Sequence, residues 1–417
     1  MGVKQYLYHI KTVYSRSIIQ DKLDIDLNTT AILIDGNCII HQAIEELLFT
    51  DITSKLIGKK TVEIIKSYID NYNHAYIVFD GIPPKPKQHC QKERRQRSLI
   101  ESTSHEISGF IIAGTSEMKN IEQYIIKKLQ SDNVFINSSL NKGEGEQKMM
   151  KIIKDIYNNF NTFKVISVDS DVLILLQLIL ENFNDKSTKN IYYYTSMFNM
   201  CIDVPKLNTL MKKKCNALSD KLIFWSIIAG NDFFKRLSEL QDYSMLQIEQ
   251  FVNHIVNMFC TPSVVYGTPS VVYGTPSVVD GTPSVVYGTP SVVYGTPSVV
   301  DGTVYDAKSK SDKTGNFIIN FKDFNTLKKL FQQIINFTKL STCNKENCSD
   351  ENINKYINLI FWFYEYFNTN NYINCEPIDN IPCLKCICNY NMNIKFIDPI
   401  DIDHLDYVFG SIKFTRS

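Results

Sequence analysis

Seven carboxylates fall at the places where an alternating α/β chain puts its chemistry. Asp35 closes the run AILID (31–35), Asp80 closes AYIVFD (75–80), and Asp169 with Asp171 closes KVISVDSD (164–171). Glu144 and Glu146 stand one residue apart between glycines in NKGEGEQKMM (141–150), at the opening of a helix-period segment. Asp232 follows the apolar run LIFWSIIAG in AGNDFF, with Gly230 expected as the helix C-cap. In extended chain the i, i+2 spacing of Asp169 and Asp171 would put both side chains on one face. Ligands of open α/β sheets bind outside the carboxyl ends of the strands. Carboxylates gathered there would repel and raise one another's pKa unless cations neutralised them. Oxygen-only ligands suit hard divalent ions, so Mg²⁺ (or Mn²⁺) is the expected cofactor. Two such ions about 4 Å apart can supply a hydroxide nucleophile and stabilise the leaving oxygen of a phosphodiester. Any one carboxylate alone reads as a helix cap or loop residue; seven in one unit point to a metal centre.

The elements that must position them are legible. AILID, AYIVFD, NVFIN (133–137), KVISVD (164–169) and NIYYYT (190–195) are short β-branched or aromatic runs separated by helix-period segments. That alternation predicts a mostly parallel sheet flanked by helices over residues 1–258. From Thr261 to Gly302 the composition changes to six tandem copies of TPSVV[YD]G. A proline and a glycine in every seven residues forbid a helix and interrupt any long strand, so residues 259–306 read as a flexible low-complexity insert. Helix-period patterns resume in NTLKKLFQQIINF and NINKYINLIFWFYEYF, and 307–417 is expected to be a small helical carboxy-terminal region with a Cys-rich tail.

Composition excludes several classes. The 417 residues hold 44 basic and 44 acidic side chains, a formal net charge of 0, so no global basic field announces a nucleic-acid partner and any such contact must be local. The first residues lack a signal-peptide core and the longest apolar runs are too short to span a bilayer. An intracellular location, cytoplasmic rather than nuclear, with no membrane contact, is the expectation. Tyr6 stands where a myristoylation signal needs Ser or Thr. The 11 cysteines then read as thiols rather than a disulfide framework. Cys343-x₄-Cys348, and Cys375 followed by Cys383-x₂-Cys386-x-Cys388, could give four thiolates to zinc or be reduced thiols in a partly buried tail.

The local basic patch follows Asp80. Residues 85–97 carry six Lys or Arg against the single acid Glu93. On a helix starting near Lys85, the side chains of Lys87, Gln91, Arg94 and Arg95 share a face, a stripe suited to a terminal phosphate. A solvated charged face is the plainer reading. His41, in the IIHQ stretch, is either a surface histidine or a base-stacking ring.

Taken in order, MGVKQYLYHI, LIDGNCIIHQ, VFDGIPPKPKQHCQKERRQRS, AGTSEM, KGEGEQKMM, VDSDVLIL and IIAGNDFF resemble the amino-terminal nuclease region of the Xrn-type 5′→3′ exoribonucleases over about residues 1–240. The resemblance implies a PIN/flap-endonuclease-like fold and a Mg²⁺-dependent exonuclease, with two ions held by the seven carboxylates. It implies a 5′-monophosphorylated single-stranded substrate, RNA before DNA, with Lys87, Gln91, Arg94 and Arg95 on the 5′-phosphate and His41 stacked on the terminal base. The flap endonucleases share the metal logic and the FDG-PP stretch but lack the IIHQ, GEGE and GNDF forms; a structure-specific DNA flap endonuclease is the first alternative, and a nucleic-acid-binding protein with a decayed centre the second. YINLIFWFYEYF (356–367) is similar to a Tyr/Trp-rich helix of the family's second conserved region, but the Trp/Tyr/Pro-rich stretch that usually follows is absent, and Trp362 is expected in the core. The chain resembles a minimal version of the family, of the size a virus would carry.

Overall fold

The structure is a computed structural model that describes residues 2–3, 5–20, 23, 25–47, 53–84, 86–87, 115–129, 131–182, 189–260, 323–338, 343, 347–369, 375, 378, 381–390 and 415–416. The heptad array lies outside the described residues. The chain opens with α1 (Tyr6–Val13) and the two-residue strand β1 (Ile18–Ile19). Strand β2 (Thr30–Asp35) leads into α2 (Gly36–Glu46) and α3 (Ser54–Ile69), β3 (Ala75–Val78) precedes α4 (Ser116–Leu129), β4 (Val134–Asn137) precedes α5 (Gly145–Ile156), and β5 (Thr162–Ile166) precedes α6 (Ser170–Asn182). After β6 (Asn190–Thr195) and β7 (Met200–Asp203) come α7 (Val204–Lys212), α8 (Leu218–Ala229) and α9 (Met245–Cys260). The carboxy-terminal segment supplies α10 (Phe324–Thr338), α11 (Asp350–Thr369), α12 (Leu384–Asn389) and β8 (Thr415–Arg416).

The eight described strands join one sheet in the order β1-β7-β6-β5-β2-β3-β4-β8. Its middle, β6-β5-β2-β3-β4, is parallel throughout. Antiparallel pairings of β7 with β6, β1 with β7, and β8 with β4 extend the two edges. Every residue of the central strand β2 is buried, and its side chains alternate between two cores. Ala31 and Leu33 join one apolar cluster with residues of α1, α5, α6 and α8; Ile32 and Ile34 join another with Ile39, Ile65 and Ile121. A sheet covered on both faces accounts for strands that read as continuous apolar runs. The sequence reading is therefore correct for the α/β class, the mostly parallel sheet, its flanking helices and the helical carboxy-terminal region. It missed β1, β7 and β8, two of which are only two residues long.

The helices beyond the array pack on the first of these cores. Leu330, Phe331, Tyr356, Ile360 and Phe363 share its apolar cluster with Trp225, Phe233 and Phe234. Trp362 is 4% exposed, in the core as expected, with its ring edge-on to Phe233 at 5.1 Å. A buried polar knot fastens α1 to α8 and α9: Glu249 accepts from Lys221 Nζ at 2.7 Å and from the Tyr14 hydroxyl, and contacts His9 Nε2 at 2.8 Å. These partners hold its carboxyl well down, at about 2, against the upward pull of burial. Among the described residues no helix is long and apolar enough to cross a membrane.

Candidate metal centre

The carboxyl edge of the parallel strands turns abruptly polar. Asp35 is the last residue of β2 and caps α2; its Oδ1 accepts from Cys38 N at 3.2 Å, and its Oδ2 from Cys38 Sγ and Ser167 Oγ, both at 2.9 Å. Asp80 lies two residues past β3, its own amide bonded to Asn37 Oδ1 at 2.9 Å. Its Oδ1 accepts from Gly145 N at 2.6 Å, which ties the end of β3 to the start of α5. The opening of α5 holds Glu144 at the N-cap position and Glu146 in the first turn. Here the glycines serve close approach. Gly81 N–H donates to Gly143 O at 2.8 Å, and a Cβ on Gly81 would sit 1.8 Å from Asn141 O. Gly143 has φ +96°, a conformation costly for any other residue.

Asp169 and Asp171 are close, but not through an extended chain. Strand β5 ends at Ile166 and α6 begins at Ser170, so Asp171 is in the first helical turn. Asp169 Oδ1 accepts from Asp171 N at 3.0 Å; this capping bond turns the chain where alternation predicted a strand end. Gly230 ends α8 with φ +84°, the expected C-cap, and Asp232 follows on the turn beyond it.

All seven carboxylates gather in one electrostatic cluster, six of them buried and Asp80 half-buried. Burial is the first cause of the raised pKa values of Asp35, Asp80, Glu144, Asp169 and Asp171, and repulsion by neighbouring carboxylates adds to it. Asp169 is pushed up to about 6 by burial and by Asp232. Asp171 goes well above the carboxylate range through burial, Asp169 and Asp232. Burial with Glu146 does the same to Glu144, and burial with the charge of Asp35 raises Asp80. Asp35 is raised by burial, against the bonds from Cys38 and Ser167.

The Lys87 ammonium stands among them. Lys87 Nζ is 2.5 Å from Glu144 Oε1, 2.8 Å from Glu146 Oε1 and 3.7 Å from Asp232 Oδ2. Burial pulls its pKa down, but the charges of Glu144, Glu146, Asp232 and Asp169 win and hold it well above the lysine range. The expected basic stripe thus begins inside the acid cluster; Gln91, Arg94 and Arg95 lie outside the described residues. His41 is half-buried on α2, where desolvation lowers its pKa against the charges of Asp35 and Glu45.

Two further groups reach the cluster from far away in sequence. Gly2 N–H donates to Asp232 Oδ1 at 3.3 Å, and a Cβ on Gly2 would lie 2.5 Å from Asp169 Oδ1. The Tyr366 hydroxyl of α11 donates to Glu144 Oε2. Nothing local in the sequence marks either contact, though Tyr366 stands in the aromatic helix the sequence singles out.

Whether this donor set fits divalent cations can be judged from Asp171. Both of its carboxylate oxygens are buried with no hydrogen-bond partner, an expensive arrangement that an ion in the cluster would relieve. Oxygen-only donors are the ligands that hard cations take. The residues fit the group.

Residues 1–184 match the family described as XRN 5′-3′ exonuclease N-terminus, so the resemblance read from the motifs holds for that segment, which ends before Asp232. No curated protein matches the chain. Similar solved structures include the T5 D15 protein co-crystallized with metal ions, at TM-score 0.37 and 11% identity, over 55% of this chain and 75% of that one. A bacteriophage T5 D15 flap endonuclease pseudo-enzyme-product complex with DNA and metal ions has TM-score 0.36 and 10% identity, over 56% and 80%. The catalytic core of Rad2 in complex with DNA substrate has TM-score 0.40 and 15% identity, over 61% and 68%.

Proposed function

We propose that the chain is a divalent-metal-dependent 5′→3′ exonuclease that hydrolyses single-stranded nucleic acid bearing a 5′-monophosphate, RNA before DNA. The observation that carries this reading is the convergence of Asp35, Asp80, Glu144, Glu146, Asp169, Asp171 and Asp232 on one edge of the sheet, with the Asp171 oxygens lacking any hydrogen-bond partner. The match of residues 1–184 supports the polarity. Two Mg²⁺ or Mn²⁺ ions bound there would activate the attacking water and neutralise charge on the leaving oxygen. The carboxylates of the chain supply the ligands, and the bonds from Cys38, Ser167 and Gly145 hold Asp35 and Asp80 in place. Lys87 stands where the acids meet the basic stretch. Its ammonium is a counterion within the acid cluster and, with Gln91, Arg94 and Arg95, the grip on the terminal phosphate. His41, whose pKa burial lowers, offers a ring for the first base.

End-labelled RNA and DNA, each with a 5′-monophosphate or a 5′-hydroxyl, digested with Mg²⁺ or with chelator, test the reading. Mononucleotides released from the 5′-monophosphate RNA only in Mg²⁺ are expected. A single cut at a DNA branch would instead favour a flap endonuclease, and no cleavage of any substrate would leave a binding protein with a decayed centre.

A further inference from the structure

The carboxy-terminal cysteines form a second constellation. Cys343 lies between α10 and α11, Cys348 immediately before α11, Cys383 at the N-cap of α12 and Cys386 within it. Each offers a sulfur, and the four atoms lie within 4.8 Å of one another. None of the four forms a disulfide. The Cys343 sulfur is 3.5 Å from that of Cys386 and 3.8 Å from that of Cys348. Four thiolates placed tetrahedrally about 2.3 Å from one ion have sulfur-to-sulfur edges of about 3.8 Å.

Apolar burial does not account for this convergence. Cys343 is exposed and the other three are only half-buried, whereas Cys215 and Cys375 are packed in the core. Thiols that gather at the surface without a disulfide need another reason. The backbone supplies a second observation: Cys383 N–H donates to Cys348 Sγ and Cys386 N–H to Cys383 Sγ, each at 3.4 Å. Amide donors aimed at sulfur stabilise thiolate rather than thiol and orient it as a ligand. The sulfurs come as two short-spaced pairs, C-x₄-C and C-x₂-C, from two separate segments. Soft sulfur-only donors select a different ion from the oxygen-only cluster at the sheet edge. Cys375 is not in the group, and Cys388 turns away to Lys328 O at 3.6 Å.

We propose that Cys343, Cys348, Cys383 and Cys386 bind one Zn²⁺ ion in a closed tetrathiolate site that fastens α12 to the turn before α11. With all four positions filled by protein the ion has no open site for substrate, so its role is structural. A helix of six residues has little stability of its own; ligation from its first turn, with Leu384 and Ile387 buried beneath, would hold it in place. The same ion anchors the start of α11, the helix that delivers Tyr366 to Glu144.

Metal content of the full chain, expressed with zinc and purified without chelator, tests this directly. About one zinc per chain is expected, and replacing Cys383→Ser with Cys386→Ser should remove it while Asp169→Ala leaves it in place. Stripping the wild-type chain and adding Co²⁺ should produce the intense sulfur-to-cobalt charge-transfer absorption that carboxylate ligands do not give; this readout stands even if the double variant fails to fold. Folded wild-type chain with no zinc and no such absorption overturns the proposal. So does zinc retained by a folded double variant, or iron found in its place.

Discussion

The hydroxyl of Tyr366 donates a hydrogen bond to Glu144 across 222 positions of sequence, joining the carboxy-terminal helices to the acid cluster. A donor to a buried carboxylate is worth about 1.5–3 kcal/mol. Tyr366→Phe removes only that oxygen, and thermal unfolding should show a loss of that order. If the bond also places Glu144 for catalysis, kcat/KM falls by roughly 10-fold or more while KM for nucleic acid changes little. An unchanged rate beside a lowered melting temperature would leave Tyr366 a purely structural contact.

Asp171 gives an opposite pattern. Its buried oxygens without hydrogen-bond partners oppose folding when no cation is present. Asp171→Asn should stabilise chelator-treated protein by an amount on the order of 1–2 kcal/mol, seen as a higher melting temperature, while abolishing cleavage. Adding Mg²⁺ should stabilise the wild type by about 2.7 kcal/mol at a hundredfold excess over its dissociation constant, and the variant much less. Equal shifts in both proteins would place the ion elsewhere.

Lys87 makes the complementary case. Removing one partner of a buried ion pair costs about 3–5 kcal/mol, so Lys87→Met should strongly destabilise the cation-free chain. Mg²⁺ should recover more of that stability than it adds to the wild type, since the variant has lost its own counterion. The preference for a 5′-monophosphate over a 5′-hydroxyl, measured as a ratio of kcat/KM, should shrink. A ratio left unchanged would free Lys87 of any role at the phosphate.

The knot at Glu249 predicts an acid limit. Its folded pKa of about 2 lies below the ordinary 4.5, so its stabilisation is fully present above pH 4.5 and is lost as pH falls toward 2. That interval corresponds to roughly 3 kcal/mol. Urea unfolding of wild type and Glu249→Gln at pH 6 and pH 3 should show the gap between them narrowing in acid. A gap that is constant with pH would mean the carboxylate charge contributes nothing.

Much of this architecture was legible because its signals are local. AILID and NIYYYT are strands as read, since β-branched and aromatic runs buried on both faces carry their own signature. The carboxylates were legible because strand ends are. Asp171 was placed on the wrong element because VDSD alternates like a strand, and only the capping bond from Asp169 reveals a helix start. Gly2, Tyr366 and the position of Lys87 depend on contacts between distant segments, for which spacing gives no clue. Strand β1 is too short to show a period, and it pairs with β7 only at Ile18 and Ile19.

The loop that brings Gly81 beside Gly143 has a consequence at the level of the gene. At one position there is no room for a methyl group, since it would lie 1.8 Å from a carbonyl oxygen; at the other φ is +96°. Every glycine codon begins GG, so any missense change at either of those two bases adds a side chain, and only the third base can drift silently. Random mutagenesis of the coding region, followed by selection for activity, should therefore recover synonymous changes at codons 81 and 143 and almost nothing else, even though neither residue carries a functional group of its own.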